Sequence, residues 1–252
     1  MPRIDLNCDL GEGAGHDAEL MPLITSANIA CGAHAGDEAT MRATVGLALR
    51  HGVAIGAHPG FADRGNFGRR ELPLSPRESG NLVLEQTRRL QALAQEAGAR
   101  VTHVKPHGAL YNLSARDAAV ARAIAAAVHE CDPRLMLFGL AGSWSLTAAR
   151  ERGLRAAGEV FADRAYEPDG SLTPRSRADA LIADEAACVA QVLRLVCEGR
   201  VRSVSGADVA IAADTVCLHG DGAHAVAFAR RLRTALADAG VEVKAVARES
   251  RE

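Results

Sequence analysis

The chain has 252 residues, 48% of them apolar and 24% charged, with a formal net charge of −2. That length is ample for a buried core, and the composition argues against disorder, a collagen-like chain or a coiled coil. No basic surplus exists to neutralise a phosphate backbone, no apolar run reaches about 18 residues, and no charged-then-apolar leader precedes the first motif, so the expectations are no nucleic acid, no membrane and a cytoplasmic location.

Short apolar, β-branched runs alternate with longer helical patterns, the signature of a parallel sheet built from βα units. The runs that read as strands are 4–8, 28–31, 53–58, 101–105, 135–140, 157–161 and 215–219, and 241–246 is either a closing strand or a tail. Helices lie between them. Ser75-Pro76-Arg77-Glu78 is a capping box with proline at the first helical position, and Gly98 stops the helix it opens. Apolar residues also recur at helical spacing from Leu181 to Val196 and from Val226 to Leu236.

Almost every strand runs into a polar, glycine-rich cluster. In a barrel of parallel strands these ends meet at one face, where active sites lie; an open sheet would bring together only the strands at its switch point. The pattern therefore predicts one closed, TIM-like barrel domain over residues 1–252 with about seven parallel strands.

The ends supply the candidate chemistry in chain order. Asp5, Asn7 and Asp9 share one face of the first strand, and Glu12 follows; the row suits cation binding or the orientation of a substrate and a water, and a turn-and-cap cluster is the competing reading. His34 and Asp37 follow the second strand, and His58 ends the third. With Asp9 they leave a metal site open, but no H-x-x-x-H or H-E-x-x-H pattern supports one, so no metal ligand is assigned; hydrogen bonding and proton transfer are the expected roles. The loop from Phe61 to Arg70 reads as a cover for the site. Lys105, His107, Tyr111 and Asn112 lie in V-K-P-H-G-A-L-Y-N. Lys105 and Lys244 are the only lysines among 29 basic residues, and a lysine at a barrel mouth pairs with a carboxylate or phosphate. Glu159, Asp163 and Arg164 follow on the sixth strand, and Asp221 with His219 closes the ring. The six cysteines form no C-x-x-C pair and read as buried fillers. No phosphate-binding glycine loop is present, so ATP has no locatable site in this sequence.

The strings D-L-N-C-D-L-G-E, N-I-A-C-G-A-H-A-G-D, G-A-H-P-G-F-A-D, V-K-P-H-G-A-L-Y-N, E-V-F-A-D-R-A-Y and C-L-H-G-D together resemble the LamB/YcsF family over nearly the whole chain. The resemblance implies a seven-stranded barrel related to glycoside hydrolases and polysaccharide deacetylases. It also implies ATP-dependent opening of the lactam 5-oxo-L-proline to L-glutamate, with release of ADP and phosphate, carried out with two partner subunits, B and C. Within that chemistry Asp9 or His58 is the expected base for water, and Lys105 the group that stabilises a carboxylate or transferred phosphoryl. Asn7, Glu12, His34, Asp37, His107, Tyr111, Asn112, Glu159, Asp163, Arg164 and Asp221 are the expected substrate contacts. The alternatives are a stand-alone metal-dependent amide hydrolase and a non-catalytic lactam-binding protein.

Overall fold

The computed structural model describes residues 1–218 and 224–246. Its strands are β1 (Arg3–Leu10), β2 (Ser26–Ala30), β3 (Ala54–His58), β4 (Val101–Val104), β5 (Met136–Leu140), β6 (Arg155–Phe161), β7 (Arg200–Arg202), β8 (Asp208–Ala210), β9 (Thr215–Leu218) and β10 (Glu242–Val243). Seven of them form a parallel barrel in the order β1-β2-β3-β4-β5-β6-β9, and β9 closes it against β1 with Asn7 opposite Cys217. All seven predicted strand runs are present. The run at 241–246 does not close the barrel: β10 only extends the sheet outside β1, pairing Arg3 with Glu242.

The main helices are α1 (Asp17–Leu20), α2 (Glu38–His51), α3 (Pro76–Glu96), α4 (Gly108–Arg116), α5 (Ala118–Cys131), α6 (Trp144–Glu151), α7 (Glu185–Glu198) and α8 (Ala225–Asp238). Their starts follow local chemistry. Ser75 and Glu78 form the predicted reciprocal capping box, while Asp37, Asp117 and Asp184 accept from backbone amides at the starts of α2, α5 and α7. Leu181 and Ile182 precede α7, where Leu181 instead bridges to Arg164 across an irregular excursion between β6 and β9. That excursion also holds the antiparallel β7–β8 pair, which sequence patterning misses because each strand has three residues and only Val201 is fully buried. Among the described residues, no helix is long and apolar enough to cross a membrane.

The helices pack an apolar layer against the outside of the barrel: Leu6, Ile29 and Val104 on strands meet Met41, Leu90, Ile124 and Leu232 on helices, all buried. The barrel interior is polar. Asp5, Asn7, Ser26, Asn28, His103, Glu159 and Thr215 are all buried and lie on strands. They satisfy one another: Asp5 accepts from Thr25 and Ser26, and Asn7 donates to Glu159 at 2.9 Å and Thr215 at 2.8 Å. His103 stacks on Phe138 and fills the space beside Gly56, where a Cβ would sit 2.0 Å from its Nε2. Gly56→Ala should therefore displace the imidazole and cost at least about 1–3 kcal/mol through overpacking. A chemical-melt midpoint unchanged from the parent would show that the interior has slack.

Candidate active site

Strands β1, β3 and β4 end together, and their terminal residues build a buried ionic floor. The Lys105 ammonium lies 2.9 Å from Asp9 Oδ1, 2.8 Å from Glu159 Oε1 and 3.1 Å from Cys217 Sγ, and donates to Asn7 Oδ1 at 3.2 Å. Burial opposes its charge, but Asp9 leads the neighbours that outweigh this and hold the amine well above its usual pKa. Lys105 is 2% exposed. Sequence reasoning places it at an open mouth, free to hold a ligand; the structure instead commits its ammonium protons to the protein, so it positions and neutralises Asp9 and Glu159.

Asp9 also accepts from Asn28 Nδ2 at 2.8 Å, and the same amide reaches Asn7 Oδ1 at 2.7 Å. Asn28 Oδ1 lies 2.9 Å from His103 Nε2. A polar relay thus runs from the barrel interior to the Asp9 carboxylate. Burial, with the Lys105 charge next, pushes His103 down to about 3, so the ring stays neutral in the fold. The sign of the linkage follows. An unfolded histidine takes up a proton as the pH falls through about 6.5, while folded His103 does not until near 3, so stability is lost over that window. The slope of stability against pH between pH 6 and 4 should be shallower in His103→Gln by about 1.4 kcal/mol per pH unit. Equal slopes in denaturant titrations would show that His103 is protonated in the fold.

Beside Asp9 stand three histidines and Glu12. His58 Nε2 is 3.3 Å from Asp9 Oδ2 and 3.8 Å from Glu12 Oε1. Burial works against a charge on His58, but the Asp9 carboxylate outweighs it and leaves the imidazole above its usual pKa. His34 Nε2 and His107 Nδ1 approach Glu12 Oε1 at 3.2 and 3.3 Å. Burial would raise the Glu12 carboxyl, but bonds from His107 and His34 draw it down to about 2. Burial pushes His34 down to about 4. The Phe61–Arg70 loop does approach the site: Gln86 clamps Gly60 through both its amide and carbonyl, and Phe67 packs edge-on against His34 and His107.

These groups open onto a cavity of about 1250 Å³. Asp9, Glu12, His58, Lys105, His107 and Tyr111 form one wall. Arg69, Arg70, Arg116, Arg164 and Arg175 line the rest of it with polar and small residues, and the half-exposed Trp144 stands at its edge. Tyr111 OH and Glu159 Oε2 are buried without a well-formed hydrogen bond; burial, then the Glu159 charge, holds the phenol well above its usual pKa.

The predicted site residues divide accordingly. Asp9, Glu12, His58, Lys105, His107, Tyr111, Asn112 and Arg164 line the cavity. Asn7, His34 and Glu159 stand behind that wall as its supports. Asp37 is an exposed cap, accepting from Thr40 N at 2.8 Å, and its position follows from the start of α2 rather than from a ligand. Asp163 does not line the cavity. The Arg164 guanidinium is buried and donates to Thr173 O at 2.7 Å, which ties down the excursion after β6. Asp221 and His219 lie outside the described residues. Sequence reasoning missed Asn28, His103 and Cys217. The signal for Asn28 was available: Ser26 and Asn28 are polar residues at a spacing of two inside an apolar strand. Of the cysteines, Cys8, Cys31, Cys188 and Cys217 are buried, whereas Cys197 is exposed, against expectation for a filler.

A closed parallel barrel with a charged cavity at the carboxyl ends of its strands defines a (β/α)-barrel protein with an enzyme-like site. The LamB/YcsF family signature matches residues 4–251, and the chain belongs to that family. It is 56% identical to the A component of the multi-subunit 5-oxoprolinase of Geobacillus thermodenitrificans, with all of both chains covered. It is 52% identical to the protein of the same name from Tolumonas auensis, covering 98% of this chain and 100% of the other. Among solved structures, it matches the lactam utilization protein of Thermus thermophilus with a TM-score of 0.90 at 48% identity, covering 96% of this chain and 99% of that one. A family 4 carbohydrate esterase from Streptomyces lividans shares the fold alone, with a TM-score of 0.50 at 12% identity over 97% of this chain and 93% of the esterase.

Proposed function

We propose that this chain opens the ring of 5-oxo-L-proline to give L-glutamate, in an ATP-dependent reaction completed with partner subunits B and C. The observation that carries the reading is the Asp9 carboxylate, fixed by Lys105 and Asn28 at the wall of a cavity that also presents arginines. The names of the relatives support the substrate and the existence of other subunits.

A five-membered lactam is a stabilised amide, and its opening needs driving. Transfer of the γ-phosphoryl group of ATP to the amide oxygen makes the ring carbon electrophilic. Water then adds to that carbon and gives its proton to Asp9. The proton passes to the ring nitrogen, the carbon–nitrogen bond breaks, and the open product is an acyl phosphate. A second water releases phosphate and leaves glutamate. Asp9 is the base, His58 holds its second oxygen, and Lys105 keeps it ionised. The cavity arginines supply charge for the substrate carboxylate and the phosphoryl oxygens. The chain carries no phosphate-binding glycine loop, so phosphorylation falls to the partner subunits.

The three-histidine cluster favours one second reading, a stand-alone metal-dependent amide hydrolase. An assay for glutamate from 5-oxoproline separates the two. The isolated chain should show negligible turnover with or without ATP, and adding both partners should restore ATP-coupled turnover. ATP-independent hydrolysis by the chain alone would establish the second reading instead.

A further inference from the structure

We propose that Glu12, His34, His58 and His107 form a binding site for one divalent transition-metal ion, with zinc the best match. The donor set is three imidazoles and one carboxylate, which suits zinc, and their donor atoms all lie within 4.8 Å of one another. Metal–donor distances of about 2.0–2.1 Å in a tetrahedron put neighbouring donors about 3.3 Å apart. Here Glu12 Oε1 is 3.2 Å from His34 Nε2, 3.3 Å from His107 Nδ1 and 3.8 Å from His58 Nε2. His58 Nε2 and His107 Nδ1 are 2.9 Å apart.

The outer nitrogens decide what the inner ones are. His58 Nδ1 lies 2.7 Å from the Lys105 carbonyl, and His107 Nε2 lies 2.8 Å from the Phe67 carbonyl. A carbonyl only accepts, so each ring must donate outward. Neutral rings then aim two lone pairs at each other across 2.9 Å, with a carboxylate alongside. Such an arrangement needs a cation between its members, and imidazole anchored outward on a backbone carbonyl is the usual support of a metal-ligating histidine.

The backbone is shaped to hold these rings. Phe67, which offers its carbonyl to His107, is the only non-glycine with positive φ among the described residues, at 54°. Gly68 follows at φ 62°, and a Cβ there would lie 2.8 Å from the His34 Cβ and 3.0 Å from the His107 ring. His34 and His107 stack at 3.7 Å with their planes 3° apart. A proton on the His58–His107 pair is the rival occupant; it would satisfy that one contact without drawing four donors together.

The inference is independent of the ring-opening reading, and its readout is metal content. Full-length chain, stripped with a chelator and dialysed against zinc, then separately against cobalt, is desalted and measured by elemental analysis and calorimetry. One ion per chain is expected, with a rise in melting temperature on zinc addition. Glu12→Gln and His107→Ala should each weaken zinc binding by at least about tenfold, with folding verified by circular dichroism. Cys197→Ser, which removes the exposed thiol, should bind zinc as the parent does. A folded parent chain that retains neither ion, or zinc retained equally by Glu12→Gln and His107→Ala, would overturn the site.

Discussion

Lys105→Met should lower the stability of the chain by about 3–5 kcal/mol, the usual cost of removing one partner from a buried ion pair. The ammonium bridges Asp9 and Glu159, which are 2.9 and 2.8 Å away, and the Glu159 side chain has no exposure to water. Methionine fills much the same volume, so the loss is electrostatic rather than a cavity. For a chain of this size the melting temperature should fall by roughly 6–20 °C. Adding Glu159→Gln should return part of the loss, because the stranded charge is then gone. Lys105→Arg should also be impaired, since a planar fork cannot occupy the place of a compact ammonium held by four neighbours. If Lys105→Met melts with the parent protein, Lys105 is not the counter-charge of the floor.

Asp9→Asn should cut kcat in the reconstituted complex by roughly 10²–10⁴-fold, the range lost when a positioned general base is removed. The substitution keeps the shape of the side chain and its acceptor toward Lys105 and Asn28. Glu159 remains to balance Lys105, so the melting temperature should change little compared with Lys105→Met. KM should also change little, because the arginines of the cavity are untouched. A fall in affinity that matches the fall in rate would instead mark Asp9 as a binding residue.

Most of the barrel was legible because its strands are continuous apolar runs and their ends carry glycine and polar residues together. Asp9, His58, Lys105 and His107 could be named from that alone. What was hidden depends on which side chains meet across the closed barrel. That Asn28 links His103 to Asp9 follows from the register of β1 and β2, where Asp9 lies opposite Asn28. That Lys105 is saturated follows from closure, because β9 brings Cys217 and β6 brings Glu159 to the same ammonium. Asp37 was misjudged for the opposite reason: its partner is only three residues away, and a local cap looks in sequence like any acid at a strand end. Glu12 was read as a substrate contact, and its place among three histidines depends on the loops after β1, β2, β3 and β4 converging.

The central claim is that ring opening takes place in this chain. Its most direct test is the formation of glutamate from 5-oxoproline and ATP by subunits B and C, with the chain present, absent, or replaced by Asp9→Asn. Glutamate and phosphate should form at the full rate only with the parent chain, and replacement by Asp9→Asn should reduce glutamate about as far as omission does. Full-rate glutamate formation by B and C alone, or by the complex carrying Asp9→Asn, would contradict it.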